Sequence, residues 1–203
     1  MAIRYEKELI ELSKSGARYL VIGAIALNVY GYVRATRELD ILPELSEKNL
    51  NKVYSVLKNN NYTKKITHGN NYISLIKDKN TIVDLLMVSS PDFDECFERR
   101  TTIYIKDVEI PVASVVDLLN LKRTGNRLKD KYNIVILECL SNLKKDKDIQ
   151  EYLDKFKNRT PYERLECMTE LTDFLLKFMI PEGKEFFKES RLEEISQTKI
   201  KQD

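Results

Sequence analysis

The chain reads as an α+β protein, with a mixed β-sheet flanked by helices over residues 1–113 and a helical bundle over residues 114–203. Three observations predict this. Residues 18–42 run as strand, glycine, helix and then a second apolar strand that carries two acids. Residues 62–112 hold short apolar runs at hairpin spacing, bounded by Gly, Asn, Lys and Asp. After Ala113 the composition becomes helical, with apolar residues recurring at helix spacing behind capping signals.

Each element has a local reason. Residues 3–15 form an amphipathic pattern with Leu9 and Leu12 on its inner face and Gly16 as its stop. Residues 18–23 read as a strand ending at Gly23, and residues 24–30 as a helix closed by Gly31. A strand, a glycine turn and a helix start together present free backbone N–H groups and a positive dipole end, which suits a phosphate. The acid-bearing strand ends at Pro43, and Ser46 caps a helix running through Leu57. Residues 62–67 and 72–77 flank Gly69-Asn70, a two-residue turn pair, and residues 81–88 follow as a further strand. Residues 102–105 and 108–112 pair around Lys106-Asp107. Ser114 and Asp117 form a capping box for a helix reaching about Arg123; Gly125 breaks it, and another helix covers residues 127–140. Residues 144–148 read as a solvated connection. Thr160-Pro161-Tyr162-Glu163 starts the next helix with a hydroxyl cap, a proline and a glutamate, followed by Leu165, Met168, Leu171, Leu175 and Phe178 at helical spacing. A last helix begins at Pro181.

Composition narrows the classes. A formal charge of +2 over 203 residues announces no nucleic-acid binder, so any basic surface must be local. Cys96, Cys139 and Cys167 are widely spaced and form no CxxC pair, as expected of reduced thiols in a cytoplasmic protein. No stretch has the length of a membrane span, and the charged amphipathic N-terminus lacks the apolar core of a signal peptide, so no membrane partner is expected.

The chemistry concentrates at Glu38 and Asp40. Alternate residues of a strand share a face, which sets these carboxylates about 6–7 Å apart at Cα. Two like charges that close repel unless a cation lies between them, and a hard divalent ion prefers carboxylate oxygens. The other reading is an edge strand with a charged outer face, which the flanking Leu39, Ile41 and Leu42 oppose. Arg34, Thr36 and Arg37 precede the acids closely, and arginine offers planar donor forks that suit a triphosphate. Asp84 is the one charge in residues 81–88 and would be costly if buried alone. A solvated face or a buried arginine partner would explain it, as would a functional site.

The pattern Ile22-Gly23-Ala24, thirteen residues, then Glu38-Leu39-Asp40-Ile41 resembles the signature of the nucleotidyltransferase-fold superfamily. With Arg34 and Thr36 included, it is similar to the AbiEii toxin-like subgroup of abortive-infection and toxin–antitoxin systems, over about residues 19–140. The resemblance implies a nucleotidyltransferase-like sheet with a third acid on a neighbouring strand. Asp84 fits that position, so that Glu38, Asp40 and Asp84 would hold Mg2+ or Mn2+ and Asp84 would orient the attacking hydroxyl. Gly23 and Ala24 would form the phosphate turn, with Arg34 and Thr36 on the nucleotide. The cluster at residues 122–131 reads by itself as a solvated helical corner. By resemblance, Lys122 and Arg127 would contact phosphates, and Asp130 would position a cation or the base and sugar. Ala24 stands where the family has a second glycine or a serine, and Glu38 where aspartate is more common. The implied activity moves a nucleoside monophosphate from an NTP to a hydroxyl of tRNA or protein, in a toxin or defence component with an antitoxin partner. Two further readings are a nucleotide-binding interaction module without catalysis and an antibiotic-type enzyme acting on a small molecule.

Overall fold

The computed structural model describes residues 3–69, 71–89, 91–123, 128–141, 147–156 and 158–178. In chain order the elements are α1 (Glu6–Lys14), β1 (Tyr19–Ile22), α2 (Gly23–Val29), β2 (Glu38–Pro43), α3 (Glu47–Asn59), β3 (Lys64–His68), β4 (Tyr72–Asp78), β5 (Thr81–Leu86) and α4 (Phe93–Glu98). They continue with β6 (Thr101–Ile105), β7 (Val108–Val112), α5 (Val115–Arg123), α6 (Leu128–Leu140), α7 (Lys147–Asp154) and α8 (Pro161–Phe178).

The seven strands form one sheet in the order β3-β4-β5-β2-β1-β7-β6. β1 pairs antiparallel with β2 and parallel with β7, while β2 runs parallel to β5, so the sheet is mixed as expected. All four residues of β1 are buried, as befits a continuous apolar strand covered on both faces. β2 lies between β1 and β5, at the centre of the sheet. This removes the edge-strand reading of Glu38 and Asp40. Directly opposed residues share a face, so Asp40, Asp84, Ser74 and Ile66 line up across β2, β5, β4 and β3 on one side. Leu39, Ile41, Val83, Leu85 and Leu75 point to the other side and are buried.

The caps behave as read. The Ser46 hydroxyl accepts from Asn49 N–H. Thr160 and Glu163 exchange bonds at the start of α8, and Ser114 accepts from Asp117 N–H at 3.2 Å. Lys106 and Asp107 both take positive φ, the conformation a two-residue hairpin turn demands.

Other local expectations need correction. Register pairs His68 with Tyr72, so the two strands are not joined by the pair Gly69-Asn70 alone. α4 and α7 were not read from the sequence. The apolar stripe of α8 also differs: Leu165 and Met168 are buried, but Leu171 is exposed and Thr169 and Thr172 are buried in its place. Those hydroxyls bond the carbonyls of Leu165 and Met168 one turn back, which removes the cost of burying them. Gly125, residues 142–146 and the helix expected from Pro181 lie outside the described residues, as do the side chains of Leu175 and Phe178. After Leu140 the described residues contain helices and no strand. Cys96, Cys139 and Cys167 are free thiols.

The C-terminal helices pack back onto the sheet unit. α8 lies on α2 and reaches β6, while α5, α6 and α7 pack in succession. Arg164 of α8 donates to the Val29 carbonyl at the end of α2 at 2.5 Å. Arg4 N–H donates to the Thr169 hydroxyl, which ties the start of the chain to the same helix.

Candidate active site

Glu38, Asp40 and Asp84 come together. Each offers a carboxylate oxygen, and the three oxygens lie within 4.8 Å of one another. Asp84 is 6% exposed, whereas Glu38 and Asp40 are half-buried. Ser74, opposite Asp84 on β4, donates its hydroxyl to Asp84 Oδ1 at 2.6 Å and fixes the orientation of that carboxylate. Hard oxygen donors gathered this closely are the donor set that Mg2+ or Mn2+ takes.

Gly23 has a role the sequence did not disclose. It pairs spatially with Asp40, because Ile22 is registered opposite Asp40 across β1 and β2. A Cβ added to Gly23 would sit 2.1 Å from Asp40 Oδ2 and 2.8 Å from Asp40 Cβ, and Gly23 itself has a φ of +66°. The missing side chain is the space the Asp40 carboxylate occupies. Ala24, expected to join Gly23 in the phosphate turn, is 8% exposed.

Arg34 and Thr36 lie on the connection between α2 and β2, and both are held from several sides. Asn28 is fully buried; its carboxamide donates to the carbonyls of Ala24 and Arg34 and accepts from Arg34 N–H at 2.8 Å. The Arg34 guanidinium reaches Asn133 Oδ1 on α6 at 3.3 Å. Thr36 uses its hydroxyl on the backbone of Glu38, accepting from the N–H at 3.2 Å and donating to the carbonyl at 3.1 Å. Its own N–H donates to Thr172 of α8. Thr36 is thus placed to hold the start of the acid-bearing strand.

Lys122 is half-buried in the last turn of α5. Asp130 stands on α6, three residues before Asn133; its side chain, like all of Arg127, lies outside the described residues.

Sequence reasoning also missed Tyr5. This buried residue adopts a left-handed φ of 63°, and its hydroxyl accepts from Ile82 N–H at 3.1 Å beside the carbonyls of Arg37 and Ile82. Glu38 and Ile82 are the first registered pair of β2 and β5, so the phenol sits at the base of the two acid-bearing strands. Burial drives its pKa above the ordinary phenol range, which keeps the hydroxyl proton in place as a donor. No local pattern around Tyr5 signals this, because its partners lie 32 and 77 residues away.

No family model and no curated protein matches the sequence. Several solved structures are similar to it in part. It is similar to the lincosamide antibiotic adenylyltransferase LnuA in its lincomycin-bound form, at 17% identity and a TM-score of 0.49 over 68% of this chain and 99% of the other. It is similar to ANT(2")-Ia in complex with adenylyl-2"-tobramycin, at 10% identity and a TM-score of 0.48 over 75% and 94% of the two chains. An antigenic nucleotidyltransferase-like protein from Paracoccidioides brasiliensis matches at 16% identity and a TM-score of 0.44 over 81% and 94%. Among the described residues no helix is long and apolar enough to cross a membrane.

Proposed function

We propose that this protein is a metal-dependent nucleotidyltransferase that moves a nucleoside monophosphate from an NTP to the hydroxyl of an acceptor. The observation that carries the reading is the triad of Glu38, Asp40 and Asp84 at the centre of the sheet, with Gly23 leaving room for Asp40. Glu38, Asp40 and Asp84 would hold Mg2+ or Mn2+. A divalent ion held there would supply the positive charge that offsets the negative charge of phosphoryl transfer.

The chain's own residues do the rest. The bond from the acceptor oxygen to the α-phosphorus forms as the bond to pyrophosphate breaks, and Asp84, oriented by Ser74, takes the hydroxyl proton. Arg34, anchored by Asn28 and Asn133, is directed to the phosphates, with the Gly23–Ala24 turn beside them. Lys122, Arg127 and Asp130 complete the nucleotide contacts from α5, α6 and the connection between them. With the motif at residues 22–41, the same reading extends to a toxin or defence component whose acceptor is tRNA or protein and whose inhibitor is an antitoxin.

Calorimetry with each of the four NTPs, with and without Mg2+, tests the core of this reading. Wild-type protein should bind at least one NTP only when Mg2+ is present, and Asp40→Asn should lose that binding together with transfer. Silence for every NTP at millimolar concentration would move the assignment to an interaction module. Binding without release of pyrophosphate on any acceptor would leave a nucleotide-binding module, consistent with Ala24 and Glu38 at their two positions.

A further inference from the structure

The chain's charge is unevenly distributed. Residues 47–80 contain seven lysines against Glu47 and Asp78, a formal +5, so the remainder of this +2 chain carries −3. Those residues are α3, β3 and β4, at one edge of the sheet. A groove of about 330 Å3 runs between α3 and the β3–β4 hairpin, lined by Tyr54, Leu57, Lys58, Tyr62, Thr63 and Leu75. Leu75 points to the side of the sheet opposite Asp84, so the groove lies on the back of the acid site rather than within it.

The cations at its rim are held in place. Lys65 Nζ lies 4.9 Å from the centre of the Tyr54 ring, and Lys77 Nζ 5.9 Å from that of Tyr62, contacts that fix an ammonium without neutralising it. Lys77 is partly offset by Glu8 at 3.8 Å, which leaves Lys58 and Lys65 as the exposed positive charges of the groove. Its floor is apolar, formed by Leu57 and Leu75 with the tyrosine rings.

We propose that this groove binds a single-stranded nucleic acid, with Lys58 and Lys65 on successive phosphates and an unstacked sugar or base over the apolar floor. The charge segregation selects a polyanion. The partly apolar groove selects a single strand, because a duplex hides its bases within its stack. A membrane surface is disfavoured: among the described residues the exposed large apolar side chains are Leu45, Tyr104, Val116 and Leu171, and none lies in residues 47–80. Edge-strand lysines also keep sheets from pairing with one another, and that role alone would need no ligand.

Fluorescence anisotropy with a labelled 20-nucleotide RNA, the DNA of the same sequence and its duplex separates these roles. The wild-type chain should bind the single strands more tightly than the duplex. Binding of either strand supports the groove, and a preference for RNA assigns a contact to the ribose hydroxyl. Lys58→Glu with Lys65→Glu should weaken binding at least tenfold and lower the salt slope by about one to two, at roughly 0.7 for each phosphate no longer neutralised. Lys58→Gln with Lys65→Gln should fall between, and unchanged thermal midpoints would show that both pairs fold. Asp40→Asn should bind the strand as wild type does, so failure of the transferase reading leaves this test intact. Wild-type affinity in the double Glu variant would overturn the proposal. So would equal or tighter binding of the duplex, or loss of strand binding in Lys122→Glu alone.

Discussion

Gly23 and Asp40 occupy one volume between them. Adding a methyl group at Gly23 places carbon 2.8 Å from Asp40 Cβ, a clash that rotation of the Asp40 carboxylate cannot relieve. The left-handed φ adds its own cost, about 1–2 kcal/mol for a residue with a Cβ. Gly23→Ala should therefore lower stability by roughly 1–3 kcal/mol and weaken Mg2+-dependent nucleotide binding by more than tenfold, because Asp40 must move to admit the methyl. Urea denaturation and calorimetry on the same preparation check both effects. Unchanged nucleotide binding alongside reduced stability would limit Gly23 to a backbone role. The sequence marked Gly23 as a turn residue but held no sign of its neighbour, since that depends on the β1–β2 register, a property of two strands rather than of either.

At the scale of elements, the acid-bearing strands depend on a clamp built far away in the chain. Tyr5→Phe keeps the ring and removes the hydroxyl that receives Ile82 N–H and meets the carbonyls of Arg37 and Ile82. A buried donor left unpaired costs about 1–3 kcal/mol, and a destabilisation of that size is expected in equilibrium unfolding. A change below about 0.3 kcal/mol would mean that water replaces the phenol. Much of the element order was legible because its signals are local: Ser46, Ser114 with Asp117, and Thr160 with Glu163 all cap where expected. α4 also had its signal, as the Asp92 side chain accepts from Glu95 N–H, but six residues are too few for periodicity to show. α7 begins at Lys147, inside the run 144–148 read as a solvated connection, because the charges of that run hid the helix start. Leu171 shows the limit of counting apolar residues. The buried stripe of α8 follows Thr169 and Thr172, whose hydroxyls make them acceptable inside only when bonded to their own helix. The grouping of Glu38, Asp40 and Asp84 was readable as composition and spacing. Ser74, Asn28, Asn133 and Tyr5 were not: Asn133 and Tyr5 act on partners 99 and 77 residues away, and Asn28 and Ser74 on partners six and ten residues away that only the chain's turn and strand register bring opposite them.

For the molecule as a whole, the two units proposed from composition, residues 1–113 and 114–203, are bonded to each other at several points. Thr36 bonds Thr172, Arg34 bonds Asn133 and Val29 bonds Arg164, all across that boundary. We therefore expect the units to unfold together. A single calorimetric transition should appear for the full chain, and the fragment of residues 1–113 should lack a cooperative transition because the α2 surface under α8 is bare. Two separated transitions, or a cooperatively folded fragment, would establish independent domains. The same bonds make the connection between α2 and β2 a junction, so a nucleotide seated on Arg34 should raise the melting temperature of the whole chain rather than of the sheet unit alone.

The shared volume of Gly23 and Asp40 also gives this protein's history a direction. A side chain cannot enter at position 23 while the Asp40 carboxylate fills the space, and because Asp40 Cβ itself lies 2.8 Å away, only glycine at position 40 clears it fully. Substitution at the pair is thus ordered: position 40 must lose its side chain first, and even then a residue at position 23 carries the cost of the left-handed φ. Return is blocked in the same way, because restoring the aspartate beneath a new side chain meets the clash in reverse. A lineage that had taken both steps could regain the acid only by first giving the glycine back.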